Sequence, residues 1–166
     1  MTGQTRIVFV CMGNICRSPT AEVVMQSLID EQGCSDRFEL ASAGTAGWHA
    51  GEPIDRRSGE ALRHAGYDPS RHRARQFVVE DFGRFDLVIA MDRKNRWVLD
   101  GMAPTPAEQA KIRMLRSFDS RAARSGELDV PDPYYDGGFD TVLGMVEAAC
   151  RGLLAELTSG PELSRS

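Results

Sequence analysis

The sequence has little of several features that define whole classes of protein. It has four cysteines in 166 residues, too few for the disulfide framework of a small secreted domain. It contains no run of about 20 apolar residues that would span a membrane. The first four residues also lack the basic start and the apolar stretch of a secretory signal. We therefore expect a cytoplasmic protein with no membrane partner.

An excess of positive charge is also missing. The chain has 20 Lys and Arg against 24 Asp and Glu, a formal net charge of −4. Proteins that bind nucleic acid generally carry a net basic face, so no nucleic-acid partner is expected. The length, in contrast, is sufficient for one domain that buries its core without a metal or disulfide.

Residues 6–20 carry the clearest local pattern. The apolar run Ile7–Val10 is typical of a strand that is buried on both faces. Ser18 and Pro19 predict a helix start, with a serine side-chain cap followed by a residue that needs no amide donor. The loop between them contains Gly13, and its backbone N–H groups together with the helix N-terminus suit a phosphate-like dianion. The pattern therefore predicts an anion-binding loop.

Cys11 and Arg17 give this loop its predicted chemistry. The loop amides, the helix dipole and the Arg17 guanidinium all favour the thiolate form of Cys11, which would make it a nucleophile near neutral pH. Arg17 offers a planar fork to two phosphate oxygens. The spacing Cys-x5-Arg-Ser thus places a nucleophile and a clamp around one phosphorus atom. Taken alone, the stretch would serve a reductase, a phosphocarrier or a phosphatase.

The rest of the chain alternates between predicted strands and helices. Apolar runs and periodicity predict strands at 7–10, 38–41, 85–91 and 111–115, and helices at 18–33, 55–64, 92–99 and 139–157. The glycine-rich stretch 42–51 and the segment 117–133 are predicted to be loops.

The unbroken apolar character of the first and third strands predicts the fold class. Such strands belong to a parallel sheet that is covered on both faces, so we predict a single α/β domain over residues 1–157. Its open sheet would have about four strands with helices on both faces. The phosphate-binding loop would follow the first strand, and the site would lie at the carboxyl ends of the strands. Residues 158–166 lack periodicity and are expected to form a frayed tail.

Several motifs follow one another along nearly the whole chain. They are Cys11-Met-Gly-Asn-Ile-Cys-Arg-Ser-Pro19, Ser42-Ala-Gly44, Trp48, His72-Arg-Ala-Arg-Gln76, Met91-Asp92 and Asp132-Pro-Tyr-Tyr135. In these motifs the chain closely resembles the low-molecular-weight protein tyrosine phosphatases. The resemblance implies hydrolysis of protein phosphotyrosine and small aryl phosphates through a phosphocysteine intermediate. It also implies phosphotyrosine-containing proteins as partners and inorganic phosphate as product and inhibitor.

The resemblance assigns the catalytic roles to three residues. Cys11 attacks phosphorus, Arg17 binds the equatorial oxygens, and Asp132 protonates the leaving oxygen and then activates water. A phenol has a pKa of about 10, so a placed acid typically contributes a factor of about 10² to 10⁴ in rate. Read without the other motifs, Asp132 would be an ordinary turn aspartate before proline.

The remaining implied site residues bind substrate or support the loop. The loop residues implied to bind substrate are Met12, Gly13, Asn14, Ile15, Cys16 and Ser18. In the support network, Asn14 hydrogen-bonds with Ser18, Ser42 and His72, and the Ser18 hydroxyl donates to the thiolate.

Three aromatic residues are expected to form the walls of a deep cleft. Trp48, Tyr134 and Tyr135 would stack on a phosphotyrosine ring, while the depth would exclude the shorter phosphoserine. The alternatives are that Trp48 plugs its own loop and that the tyrosines pack their loop or are themselves phosphorylated. For His72, the alternative is a solvated member of the basic run 71–75.

Cys16 has two open interpretations. It is either a small packing residue or, as the resemblance implies, the partner of Cys11 in a reversible disulfide that protects the nucleophile. A zinc site is disfavoured because Cys34 and Cys150 stand apart and do not form a second pair. Cys150 lies on the apolar stripe of the last helix, which predicts a core position. No metal and no cofactor is predicted.

Three other functions compete with phosphotyrosine hydrolysis. Arsenate reduction on the same fold requires additional cysteines to pass on the oxidation. Phosphoarginine hydrolysis is associated with a Thr where this chain has Ile15. A non-catalytic phosphotyrosine-binding module would need neither the nucleophile Cys11 nor the acid Asp132.

Overall fold

A four-stranded parallel sheet forms the centre of the protein. The computed structural model describes residues 3–159, and its strands are β1 (Thr5–Cys11), β2 (Phe38–Gly44), β3 (Leu87–Ala90) and β4 (Ile112–Met114). They lie in the order β2-β1-β3-β4, and every pair is parallel. The predicted fold class is therefore confirmed.

The core lies on both faces of this sheet. Alternation along β1 sends Ile7 and Phe9 to one face and Val8 and Val10 to the other, and all four are fully buried. Two long helices, α1 (Arg17–Glu31) and α8 (Phe139–Ser159), pack on the first face. The second face is covered by α4 (Arg93–Met102) and by the segment that contains α3 (Asp81–Arg84).

The other helices within residues 3–159 are short. They are α2 (Arg56–His64), α5 (Pro106–Gln109), α6 (Ser120–Ser125) and α7 (Pro133–Asp136), together with 3₁₀ turns at Ser35–Arg37 and Leu115–Phe118. The predicted caps of α2 and α4 are present, because the Asp55 and Asp92 side chains accept hydrogen bonds from the first backbone amides. None of the helices in this part of the chain is both long and apolar enough to cross a membrane.

Some predicted boundaries were wrong. β2 continues to Gly44, beyond the predicted end at 41, because its last residues pair with β1 as far as Cys11. β3 is shorter than predicted, and the buried Phe85 and Met91 flank it. The predicted loop 117–133 contains α6, a short helix without an apolar stripe that the sequence pattern would reveal.

The start of α1 and the end of α8 also differ from the prediction. α1 begins at Arg17, and Ser18 is not its cap, because the Ser18 hydroxyl faces the Cys11 sulfur instead. α8 continues to Ser159, two residues past the predicted end at 157. The rest of the predicted tail, 160–166, lies outside the described residues.

Candidate active site

The loop between β1 and α1 forms the floor of a cleft at the carboxyl end of the sheet. Its lining residues include Cys11, Met12, Gly13, Ile15, Cys16 and Arg17. The cleft therefore lies where the sequence places it.

Cys11 is the last residue of β1 and is 2% exposed. Its Sγ lies 3.0 Å from the Ser18 Oγ, and the Asn14 backbone N–H donates to it over 3.3 Å. Both neighbours can donate a hydrogen bond to this sulfur. The positive end of α1 starts six residues further along the chain.

Asn14 holds the loop in shape. It has a φ of 57°, and Asn is one of the few residues that adopt this left-handed conformation readily. Its Nδ2 donates to Ser18 Oγ at 2.9 Å and to Ser42 Oγ at 3.0 Å. Its Oδ1 accepts from the Arg75 amide at 2.9 Å, and its carbonyl accepts from His72 Nε2 at 2.6 Å. The predicted support residues are thus brought together, with the Arg75 amide as an addition.

Two titratable groups lie behind this network. The Ser42 hydroxyl donates to Glu22 Oε1 at 2.7 Å, and burial raises the pKa of Glu22. Burial lowers the pKa of His72, although its contact with Asn14 opposes this shift. Because a carbonyl oxygen only accepts, the His72 Nε2 must carry the hydrogen in this contact.

Arg17 is 2% exposed and is held from two sides. Its Nη1 donates to Asp92 Oδ2 at 2.6 Å and to the Val130 carbonyl at 2.9 Å, and its Nη2 lies 3.5 Å from Asp132 Oδ2. Burial opposes the charge of Arg17, but the negative field of Cys11, Asp92 and Asp132 holds its pKa above the ordinary value. The guanidinium is therefore a fixed cation at the cleft floor.

Asp92 is a site residue that the sequence reasoning missed in this role. It is predicted as the cap of α4, and its Oδ1 does accept from the Asn95 amide at 2.7 Å. Its second oxygen binds Arg17. A buried arginine requires a carboxylate partner, and this requirement is the signal that would have pointed to an acid near the cleft.

Asp132 lies at the N-terminus of α7. Its Oδ1 accepts from the Tyr134 amide at 3.0 Å, so it has the capping role of an ordinary turn aspartate. Its Oδ2 is turned towards Arg17, and the residue lines the same cleft as Cys11. One carboxylate oxygen therefore fixes the side chain while the other faces the cleft.

The predicted aromatic residues line the mouth of the cleft. Trp48 is 71% exposed, so the alternative that Trp48 plugs its loop is wrong, and Tyr135 is 73% exposed. The rings of Tyr134 and Tyr135 lie 5.1 Å apart at their centroids in an edge-to-face arrangement. This leaves apolar ring surface at the rim.

Two further rim residues have no signal in the sequence. His49 lies against the loop, since a Cβ on Gly13 would be 3.1 Å from its Cδ2, and its Nδ1 lies 3.1 Å from a Glu52 carboxylate oxygen. The Arg57 guanidinium lies 5.3 Å above the Tyr134 ring, a cation–π contact. Both residues adjoin the predicted walls.

The four cysteines are free thiols and are buried. Cys16 precedes α1 and lines the cleft, and burial raises its pKa to about 12. Its disulfide with Cys11 remains a prediction. Cys150 is fully buried between α8 and α1, which confirms its core position. Among residues 3–159, no group of three or more His, Cys, Asp or Glu is placed to hold a metal ion.

The fold and the cleft define a class of protein, the parallel α/β proteins with a Cys-x5-Arg anion loop between the first strand and the first helix. A family model described as "Low molecular weight phosphotyrosine protein phosphatase" matches residues 6–162. The chain belongs to this family, as the sequence motifs predict.

Individual relatives agree with this assignment. A low molecular weight protein-tyrosine-phosphatase of Streptomyces coelicolor is 50% identical over 152 residues, which is 90% of this chain and 92% of the relative. The crystal structure of YfkJ from Bacillus subtilis matches with a TM-score of 0.89 and 36% identity, over 95% of this chain and 96% of that one. A Drosophila arginine phosphatase matches with a TM-score of 0.82 and 31% identity, over 91% and 96% of the two chains.

Proposed function

We propose that the protein hydrolyses phosphotyrosine in proteins, and small aryl phosphates, through a phosphocysteine intermediate. The observation that carries this proposal is that Asp132, more than 100 residues further along the chain, lines the same cleft as Cys11 and Arg17. A thiol nucleophile, a fixed cation and a carboxylic acid are the three groups that such a reaction needs.

The reaction proceeds in two steps. The Cys11 Sγ attacks phosphorus, the S–P bond forms, and the bond to the aryl oxygen breaks while Asp132 gives that oxygen its proton. Asp132, now a carboxylate, then takes a proton from a water molecule that attacks the phosphocysteine. The S–P bond breaks, and inorganic phosphate and the Cys11 thiolate are released. Arg17 binds the equatorial phosphoryl oxygens in both steps.

The walls of the cleft favour an aromatic substrate. Trp48, Tyr134 and Tyr135 present ring surface at the mouth, above the buried sulfur of Cys11. A phosphotyrosine side chain is long enough to reach the sulfur while its ring contacts these walls, and phosphoserine is too short for both contacts. Phosphorylated proteins are thus the proposed partners.

Two of the competing functions are compatible with the same loop. Arsenate reduction needs further cysteines at the cleft, but of the four cysteines only Cys11 and Cys16 line it. Phosphoarginine hydrolysis is suggested by the similarity to the Drosophila arginine phosphatase. The aromatic walls favour the phosphotyrosine substrate over phosphoarginine, and direct comparison of kcat/KM for the two decides between them.

Substitution of the nucleophile tests the proposed function. The purified protein should hydrolyse phenyl phosphate in the presence of a metal chelator. Cys11→Ser should abolish turnover but keep phosphate binding, because Arg17 and the loop amides remain. Cys34→Ser is the control, since Cys34 lies outside the cleft, and it should retain activity. Full activity in Cys11→Ser, or loss of wild-type activity with chelator, would contradict the proposal.

The dependence on the leaving group tests Asp132. Asn caps a helix as well as Asp does, so Asp132→Asn keeps α7 in place and removes only the proton. We expect kcat/KM for phenyl phosphate to fall by about 10² to 10⁴. The value for 2,4-dinitrophenyl phosphate should change little, because that phenolate leaves without a proton. Equal losses on both substrates would exclude Asp132 as the acid.

A further inference from the structure

We propose that Arg116 is a positioning residue for Asp132, and that it acts by holding the segment 129–132 from outside the cleft. The inference rests on the proposed function, in which Asp132 is the acid. Arg116 lies in the 3₁₀ turn Leu115–Phe118, directly after β4, and it does not line the cleft.

The first observation is a hydrogen bond between two separate loops. The Arg116 Nη1 donates to the Asp129 carbonyl oxygen at 2.9 Å. The Arg116 Nε is buried and has no hydrogen-bond partner within the part of the chain that the structure describes. An unpaired buried guanidinium N–H is unfavourable, so Arg116 is a poor choice for stability alone. Its contact with Asp129 gives a reason for an arginine at this position.

The second observation is that the next carbonyl is also bound by an arginine. The Val130 carbonyl accepts from the Arg17 Nη1 at 2.9 Å, and the Val130 amide donates to the Met91 carbonyl at 2.8 Å. Two consecutive carbonyls of the acid-bearing segment are therefore fixed by guanidinium groups from different elements. Arg17 is the cleft cation, and Arg116 is the outer anchor.

The Asp129 side chain adds a third attachment. Its Oδ1 accepts from the Arg93 amide at 2.9 Å, at the start of α4. From this fixed residue, the chain reaches Asp132 through Val130 and Pro131. The prolines at 131 and 133 restrict the backbone on both sides of Asp132. A displacement at Asp129 is thus transmitted to Asp132 and is not absorbed by a flexible loop.

Loss of Arg116 should therefore move the acid but leave the nucleophile in place. The Asp132 Oδ2 lies 3.5 Å from the Arg17 Nη2, and its position over the cleft depends on the segment behind it. A misplacement of about 1 Å can reduce a rate by about 10²-fold. The contacts of Arg17 and Arg93 remain in place without Arg116, so we expect a smaller loss.

The test compares two leaving groups in Arg116→Met. We expect kcat/KM for phenyl phosphate to fall by about 10-fold, within the range that a misplaced acid produces. The value for 2,4-dinitrophenyl phosphate should stay within about twofold, because its departure needs no proton. Arg121→Met is the matched control, since Arg121 is exposed on α6 in the same connection. It should leave both values unchanged.

A double substitution separates positioning from general damage. In an Asp132→Asn background, Arg116→Met should cause no further loss on phenyl phosphate, because the acid on which it acts is already absent. Full additivity, or equal losses on both leaving groups, would overturn the inference. If Arg116→Met does not fold, Arg116→Lys is judged by the same two criteria.

The proposed function can fail separately from this inference. It fails if the wild type does not turn over aryl phosphates, or if Asp132→Asn shows no dependence on the leaving group. The inference fails alone if Asp132→Asn shows this dependence and Arg116→Met does not.

Discussion

Glu22 is a half-buried carboxyl group that takes no step in the proposed reaction, yet it is linked to Cys11 through hydrogen bonds. It accepts from the Ser42 hydroxyl at 2.7 Å, and that hydroxyl in turn accepts from the Asn14 Nδ2. Asn14 also donates to Ser18, which faces Cys11. The Glu22 oxygen therefore sets the direction of the Ser42 hydroxyl and leaves its lone pairs to Asn14.

The pKa of Glu22 gives a testable dependence of stability on pH. Burial raises it from the ordinary value of 4.5, while Ser42 and Arg75 act in the opposite direction. The folded state thus binds a proton more tightly than the unfolded chain does. The contribution of Glu22 to the free energy of unfolding is therefore fully present below its pKa in the unfolded chain. It is lost as the pH rises through the pKa of Glu22 in the folded protein.

Glu22→Gln should remove this loss, because the amide keeps an acceptor oxygen for Ser42 and carries no charge. We expect a higher free energy of unfolding at pH 7 than in the wild type, and a flatter profile between pH 4 and pH 7. Urea denaturation at several pH values measures both. Glu60→Gln, an exposed change on α2, should follow the wild type. Parallel wild-type and Glu22→Gln profiles would contradict the assignment.

At the scale of elements, α8 approaches the turn that carries Arg116. A Cβ on Gly152 would overlap the Phe118 carbonyl group, at 2.9 Å from its carbon atom. Gly144 lies in the same helix, and a Cβ there would meet nothing within 4 Å. Replacing each of these two glycines with alanine therefore separates the effect of helix propensity from the effect of close packing.

Gly152→Ala and Gly144→Ala should have opposite effects on stability. In an open helix position, Ala is better than Gly by about 1 kcal/mol, so Gly144→Ala should raise the free energy of unfolding by about that amount. Gly152→Ala should lower it by about 1 to 3 kcal/mol, the usual range for overpacking. Urea denaturation of both variants checks the prediction. A shift of both variants in the same direction would show that the packing at Gly152 adapts.

The elements differ in how well the sequence predicts them. β1, α2, α4 and α8 have apolar runs, periodicity or caps within the element itself, and the prediction finds them. α3, α5 and α7 have four residues each, too few for a periodic pattern. The local pattern predicts Ser18 as a cap, whereas its hydroxyl lies against the Cys11 sulfur, as the family resemblance implies.

At the scale of the whole molecule, the parallel sheet assembles the site. Because all four strands run in the same direction, the segments that follow them meet at one edge. Cys11 is the last residue of β1 and Arg17 follows it, while Trp48 comes after β2, Asp92 after β3 and Asp132 after β4. Each strand of the sheet thus supplies at least one residue to the cleft or to the cation at its floor.

The amino-acid sequence alone predicts the class of fold and the anion loop with its cysteine and arginine. This was possible because strand, loop and helix are adjacent in the chain, so Cys11 and Arg17 are linked by local spacing. The contacts of Arg17 with Asp92 and the Val130 carbonyl, and of Arg116 with the Asp129 carbonyl, are visible only in the folded protein. These contacts join separate elements, and neither residue of such a pair has a local pattern that reveals the other.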